Sequence, residues 1–346
     1  MSLVKSLVME VRPRLQSVNV YVILAKADSV TVRLNTDHFE LRSATLNRKV
    51  RCADFRIVPD SLSGLVCAGD QLTFRFGTEN RRGDLGTLKC ELLPTTTTDR
   101  IPPRKPFLRQ GETYGISCAE CSGALAPPIR FDSALPVPEN GDKSDWFCHS
   151  HVALADLQPK RTQVLYGDYF AYLDSTVLQL VTDDSTLYCP QCSSWIGTRE
   201  KGACKVWFNT ANFGAGVENG ALIDVIAMLK LCCHAPFSPV RVVLQCHDPR
   251  NPADVILLWI MERNLTLDID DVKSIVAKVL FRVENKTSDL ASEWFSNVNV
   301  IVYDVSKPML SKLSEHLYDM GRYIPKDFNV SNDFNVSYIL CNKIVQ

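Results

Sequence analysis

The chain has 346 residues, of which 46% are hydrophobic and 22% are charged, and its formal net charge is −1. This length suffices for two domains with separate cores, and the near-zero charge gives no indication of a nucleic-acid or acidic-membrane partner. The longest apolar run, 255–261, is too short to span a bilayer, and residues 1–14 lack the pattern of a signal peptide. We therefore expect a soluble protein of the cytoplasm or the nucleus that contacts neither nucleic acid nor membrane directly.

The first part of the chain, residues 1–93, is predicted to be an antiparallel β domain of the sandwich type. Its apolar residues form short runs rich in β-branched side chains or alternate with polar residues, and no helical period competes with them. A polar loop at 77–86 and a returning strand at 87–93 complete a predicted hairpin. The strands predicted before this loop are 18–24, 30–34, 39–42 and 72–76.

A linker is predicted at 94–106, because four consecutive threonines and several prolines do not sustain a packed strand. The remainder, 107–346, is assigned to a second domain whose last third mixes helices and strands. Two helices are predicted at 221–231 and 270–280, where apolar residues recur on one helical face. The strands predicted in this third are 240–244, 255–260, 298–304 and 334–345.

A third helix is predicted from its end signals. Ser306 is a helix N-cap residue, Pro308 fits the first turn, and Gly321 is a common helix stop. The apolar stripe of this helix is predicted to consist of Leu310, Leu313 and Leu317.

Two Cys-x-x-Cys motifs carry the sharpest chemical signal among the 13 cysteines. The pairs are Cys118 with Cys121 and Cys189 with Cys192, and small or turn-forming residues follow each second cysteine. Such a turn points two thiolates at one ion, and glycine is expected to supply the left-handed backbone conformation. Although 67 residues lie between Cys121 and Cys189, tertiary folding can close that distance. We predict that all four cysteines share one structural Zn²⁺ with no open coordination position.

A competing arrangement uses the segment between the two motifs. Cys148 with His149 or His151 would complete the first motif as a Cys₃His site, and the second motif would then need Cys204 or remain incomplete. Either arrangement makes the metal structural, because a catalytic zinc requires an open position.

Enzymatic chemistry has weaker signals. Glycine-rich phosphate loops are absent, and a cysteine nucleophile needs a neighbouring base or a helix N-terminus to lower its pKa. Cys246, at a predicted strand end beside His247, and Cys148, beside His149, are the two candidates for such a nucleophile.

The order of several short motifs resembles that of the HECT-like ubiquitin-conjugating-enzyme-binding family. The motifs are the two Cys-x-x-Cys pairs, Trp-Phe-Cys-His at 146–149, Gly-Asp-Tyr-Phe at 167–170 and Ile-Leu-Leu-Trp at 256–259, after a β-rich N-terminal part. The resemblance implies a ubiquitin-protein ligase that binds a ubiquitin-conjugating enzyme (E2) and accepts ubiquitin as a thioester for transfer to substrates. It also implies links to cyclin B and to the endonuclease that cleaves pre-mRNA 3′ ends.

The chain departs from true HECT domains in lacking their recognisable nucleophile motif. An alternative is therefore a non-enzymatic, zinc-stabilised binding protein or assembly factor for the 3′-end-processing endonuclease. For either function the predicted fold is α+β and β-dominated. It comprises the N-terminal antiparallel β domain, a zinc-stapled β-rich region and a mixed C-terminal region with three helices.

Overall fold

The computed structural model describes residues 3–26, 29–80, 108–137, 158–200, 202–214, 220–232, 240–248, 250 and 254–343. Within these residues the protein is β-dominated and contains three helices, which confirms the predicted fold class. The strands before the first helix are β1 Val4–Arg12, β2 Ser17–Leu24, β3 Thr31–Leu34, β4 His38–Arg42, β5 Asn47–Arg51, β6 Phe55–Ile57, β7 Ser63–Ala68, β8 Gln71–Asn80, β9 Thr113–Cys118, β10 Ala124–Arg130, β11 Ser133–Pro136, β12 Gln163–Tyr166, β13 Phe170–Asp174, β14 Val181–Asp183, β15 Thr186–Tyr188, β16 Trp195–Glu200, β17 Ala203–Trp207 and β18 Ala211–Phe213.

The C-terminal part interleaves the helices with longer strands. Its elements are α1 Ala221–Cys232, β19 Val240–Gln245, β20 Asp254–Ile269, β21 Val272–Asn285, α2 Asp289–Ser296, β22 Val300–Asp304, α3 Lys307–Gly321, β23 Val330–Ser331 and β24 Phe334–Lys343. None of the helices in the described part of the chain is long and apolar enough to cross a bilayer.

One large sheet unites strands from both ends of the chain. Its order is β23-β24-β21-β20-β1-β2-β8-β6, with β7 pairing β8 and with β19 joining β20 to β22. The junction is the antiparallel pairing of β1 with β20, in which Val8 lies opposite Ile269. The predicted linker at 94–106 lies outside the described residues, and the division into domains stays a prediction.

The helix predicted at 270–280 is wrong, because these residues belong to a β-hairpin. Asp270 and Asp271 have φ values of 49° and 72°, and they form a two-residue turn between Ile269 and Val272. Positive φ at both central residues is typical of the tight turns that connect hairpin strands. The resulting strand β21 lies between β20 and β24 and buries side chains on both faces. Its apolar residues therefore do not alternate strictly with polar ones, and their spacing resembles that of a helix.

The structure contains the other two predicted helices. The helix predicted at 221–231 is confirmed as α1, and Ser306 caps α3 by accepting a hydrogen bond from the Met309 N–H at 3.2 Å. The buried stripe of α3 includes Met309 and Met320, whereas Leu310 is only partly buried. Helix α2 was not predicted, although its N-cap Ser288 accepts a hydrogen bond from the Ala291 N–H.

Several strand boundaries also differ from the prediction. Strand β8 runs to Asn80, so the start of the predicted polar loop at 77–86 is wrong, and the returning strand at 87–93 lies outside the described residues. Thr78 stays in the sheet because it pairs with Ile57 of β6.

Candidate metal centre

Each Cys-x-x-Cys motif is the turn of a β-hairpin. The first knuckle, residues 118–121, connects β9 to β10, and the second knuckle, residues 189–192, connects β15 to β16. In the first, the Cys118 N–H donates to the Gly123 carbonyl at 2.8 Å and the Ser122 N–H donates to the Cys118 carbonyl at 2.9 Å. The equivalent pair in the second knuckle joins Cys189 to Ser194 and Ser193 to Cys189, both at 2.9 Å. The two turns therefore have the same backbone design.

The left-handed residue in each knuckle is serine, which corrects the expectation that glycine supplies this conformation. Ser122 and Ser193 both have φ of 60°. The nearby glycine Gly197 is required by close packing instead, since a Cβ atom there would collide with the Lys205 carbonyl oxygen of the neighbouring strand β17. Gly197 thus allows β16 and β17 to lie close together, whereas a serine adopts the left-handed conformation in each turn.

The fold brings the four cysteine sulfurs together, as a shared site requires. All four Sγ atoms lie within 4.8 Å of one another. Cys118 Sγ is 3.7 Å from Cys192 Sγ, and Cys121 Sγ is 3.7 Å from Cys189 Sγ. A regular tetrahedron with metal–sulfur bonds of about 2.3 Å has sulfur–sulfur edges of about 3.8 Å. The thiols are therefore spaced to hold one metal ion.

The site lies at the surface, with one ligand of each knuckle buried and the other exposed. Cys118 and Cys189 are buried, while Cys121 and Cys192 are exposed. Burial raises the pKa of the Cys118 thiol to about 12, whereas hydrogen bonds from the Ser194 side chain and backbone lower the pKa of Cys192 to about 6. Since a metal binds thiolates, loading this site releases protons from the cysteines that are protonated beforehand, among them Cys118.

Thr210 connects the first knuckle to the strand that follows the second knuckle. The Ala119 N–H of the first knuckle donates to the Thr210 carbonyl at 2.9 Å, and the Thr210 hydroxyl donates to the Ile196 carbonyl of β16 at 2.7 Å. The Thr210 side chain is buried. A single threonine gives no metal-binding pattern in the sequence. The hydrogen bonds by which Thr210 connects the two hairpins are therefore visible only in the structure.

The competing arrangement receives no geometric support within the described residues. Cys204 is buried in β17, outside the four-sulfur group, and burial raises its pKa to about 11. Cys148, His149 and His151 lie outside the described residues.

Cys246, a candidate nucleophile, lies just after β19 and lines a cavity of about 310 Å³ beside α3. Burial raises the pKa of its thiol to about 12, and the nearby carboxylate of Asp248 adds to this effect. Asp248 accepts hydrogen bonds from the Tyr188 hydroxyl and from Lys307 Nζ, both at 2.6 Å. These contacts join the second knuckle to the start of α3, but they do not activate the thiol.

Comparison with known proteins gives one family. A family model described as HECT-like Ubiquitin-conjugating enzyme (E2)-binding matches residues 10–336. Neither the curated proteins nor the solved structures searched give a match.

Proposed function

The chain belongs to the family of HECT-like ubiquitin-conjugating enzyme (E2)-binding proteins, and from this premise we propose that it is a ubiquitin-protein ligase. In this proposal the protein binds an E2 that carries ubiquitin, accepts the ubiquitin as a thioester and transfers it to a substrate. The supporting observation is the extent of the family match, which begins in β1, includes both knuckles and ends in β24. A location in the cytoplasm or nucleus and links to cyclin B and the 3′-end-processing endonuclease stay predictions.

We further propose that the ion held by the knuckles is Zn²⁺ with a structural role. Four thiolates are soft ligands that suit zinc, and together they fill a tetrahedral shell. The closed shell leaves no position for water or substrate, so the metal stabilises the two hairpins and takes no part in transfer. It holds the second knuckle, whose neighbour Tyr188 contacts Asp248, in a fixed position against the C-terminal part.

Elemental analysis of protein purified without chelator is expected to give one zinc per chain. Cys121→Ser should lower this value because it removes one of the four ligands. The matched control is Cys67→Ser, since Cys67 is also exposed but lies in β7, outside the sulfur group. Two zinc ions per chain, or none, would contradict the single shared site.

The transfer step makes a specific demand on the accepting thiol. A cysteine of this protein must lose its proton, its thiolate must attack the carbonyl carbon of the E2–ubiquitin thioester, and the E2 cysteine must leave as a thiolate. Burial and the nearby Asp248 carboxylate raise the pKa of the Cys246 thiol to about 12, so this thiol stays protonated at neutral pH. This argues against Cys246 as the accepting thiol, and we propose Cys148, the other candidate from the sequence, for this step.

Incubation with ubiquitin-charged E2 enzymes is expected to give a ubiquitin adduct on this protein that a reducing agent removes. We expect Cys148→Ser to abolish the adduct and Cys246→Ser to retain it, because the raised pKa of the Cys246 thiol keeps it protonated at neutral pH. An adduct that survives both substitutions would contradict the assignment of the thiol. If no E2 gives an adduct although an E2 still binds, the ligase proposal fails and the non-enzymatic alternative is favoured.

A further inference from the structure

A second cavity, of about 280 Å³, lies where the second-knuckle hairpin meets the ends of β19 and β22. These two strands are parallel neighbours, so both carboxyl ends reach the same place. The cavity lining carries three cations, namely Arg199, Lys205 and Lys286, and one carboxylate, Asp304. The lining is therefore net positive in a chain whose net charge is −1.

A hydroxyl and an imidazole are held together on the wall of this cavity. Ser185 Oγ and His247 Nε2 lie 2.6 Å apart. Both backbones are fixed by neighbours: the Arg199 N–H donates to the Ser185 carbonyl at 2.6 Å, and Trp195 Nε1–H donates to the His247 carbonyl at 2.9 Å. The wall thus presents polar groups from two different elements in a fixed relative position.

Two further contacts set the charges inside the cavity. Lys205 Nζ lies 4.5 Å from the centre of the Phe170 ring and 5.1 Å from that of Trp207, so aromatic faces hold its ammonium group in the wall. Asp304 accepts a hydrogen bond from Gln245 Nε2 at 2.8 Å. The carboxylate is therefore partly engaged by an amide. Arg199 and Lys286 are exposed, and their side chains make long contacts, Arg199 to Ser175 Oγ at 3.5 Å and Lys286 Nζ to the Phe295 ring centre at 5.6 Å.

We propose that this cavity binds a phosphoryl group. A dianionic oxyanion requires several positive charges and several hydrogen-bond donors at once. The lining offers a planar guanidinium, two ammonium groups and the hydrogen-bonded pair of Ser185 and His247, whose two bonded atoms share one hydrogen. A single carboxylate would leave most of this positive charge uncompensated. The group can come from free phosphate or from a phosphorylated side chain of another protein, and the chemistry of the contact is the same. The proposal does not depend on ubiquitin transfer.

The test is isothermal titration of the full-length protein with inorganic phosphate, in chloride buffer of constant ionic strength. We expect saturable binding that Arg199→Ala and Lys286→Ala each weaken about 10-fold or more, since each removes a charged hydrogen-bond donor. Lys326→Ala is the matched control, because Lys326 is an exposed cation outside the cavity and its loss should leave binding unchanged. Arg199 and Lys286 are exposed, so both variants are expected to melt at the wild-type temperature.

A second arm identifies the source of the phosphoryl group by titrating a phosphoserine peptide and its unphosphorylated form. If the phosphorylated peptide binds at least 10-fold more tightly than phosphate, the ligand of this cavity is a phosphorylated protein. If the two bind equally, the ligand is free phosphate. Failure of phosphate to saturate the protein, or binding that neither Arg199→Ala nor Lys286→Ala changes, would overturn the site. The thioester assay needs no phosphate, so its outcome is independent of this one.

Discussion

Cys189→Ser is expected to unfold or aggregate the protein at temperatures where the wild type is folded. Cys189 is buried, and its loss leaves three thiolates around the ion instead of four. Structural zinc contributes on the order of 10 kcal/mol in small zinc-binding peptides, which is comparable to the whole stability of an ordinary domain, about 5–15 kcal/mol. Thermal melting followed by circular dichroism measures the effect, and a strong chelator should lower the wild-type melting temperature in the same way.

The control for this effect is Cys204→Ser, because Cys204 is equally buried but lies outside the sulfur group. It exchanges a thiol for a hydroxyl in the same core, and we expect a cost of about 1–3 kcal/mol from the buried polar group. This variant should still lose stability when the chelator is added, whereas Cys189→Ser should not respond to it. An unchanged melting temperature in Cys189→Ser would show that the four thiols do not hold a stabilising ion.

The features that could be predicted from the sequence are those determined by neighbouring residues. A Cys-x-x-Cys turn depends on a few adjacent positions, so both knuckles can be recognised in the sequence. Helix α3 was recognisable for the same reason, because Ser306, Pro308 and Gly321 mark its ends locally. The meeting of the two knuckles was inferred from the chemistry of zinc, which needs four ligands, and not from the 67 residues between them.

The features that could not be predicted depend on distant parts of the chain. Nothing in the sequence near Val8 indicates that it lies opposite Ile269, so the pairing that joins the two ends of the chain has no local signal. The position of β21 between β20 and β24, with side chains buried on both faces, also depends on distant segments, and there a continuous apolar run looks like a helix. The proposed phosphoryl-binding cavity at the ends of β19 and β22 likewise brings Ser185 next to His247. Nothing in the sequence around either residue predicts this contact.

The junction between the two ends of the chain contains a buried charge, Glu10 of β1. Its side chain is fully buried and accepts hydrogen bonds from Lys278 Nζ at 2.7 Å, from Asn19 Nδ2 at 2.8 Å and from the Tyr338 hydroxyl. These partners come from β21, β2 and β24, so one carboxylate joins strands from both ends of the chain. Burial alone would raise the pKa of Glu10, but Lys278 and the other hydrogen-bond donors hold it below its ordinary value of 4.5.

Glu10→Ala is expected to cost about 3–5 kcal/mol of unfolding free energy at pH 7, because it leaves buried donors and a lysine without their partner. A folded-state pKa below 4.5 means that this contribution is complete above the unfolded value and is lost as pH falls through the folded value. The difference in unfolding free energy between wild type and variant, measured by urea denaturation, should therefore stay constant from pH 7 to about 5 and shrink below 4.5.

The matched control is Glu315→Ala. This substitution breaks a carboxylate–lysine pair of similar length, 2.8 Å to Lys312 Nζ, but on the exposed face of α3. Solvent screens that pair, so its loss should have little measurable effect at any of these pH values. If Glu10→Ala and Glu315→Ala lower the unfolding free energy equally, the buried ion pair of Glu10 is no more stabilising than an exposed one. The proposed role of Glu10 in joining the two ends of the chain would then be wrong.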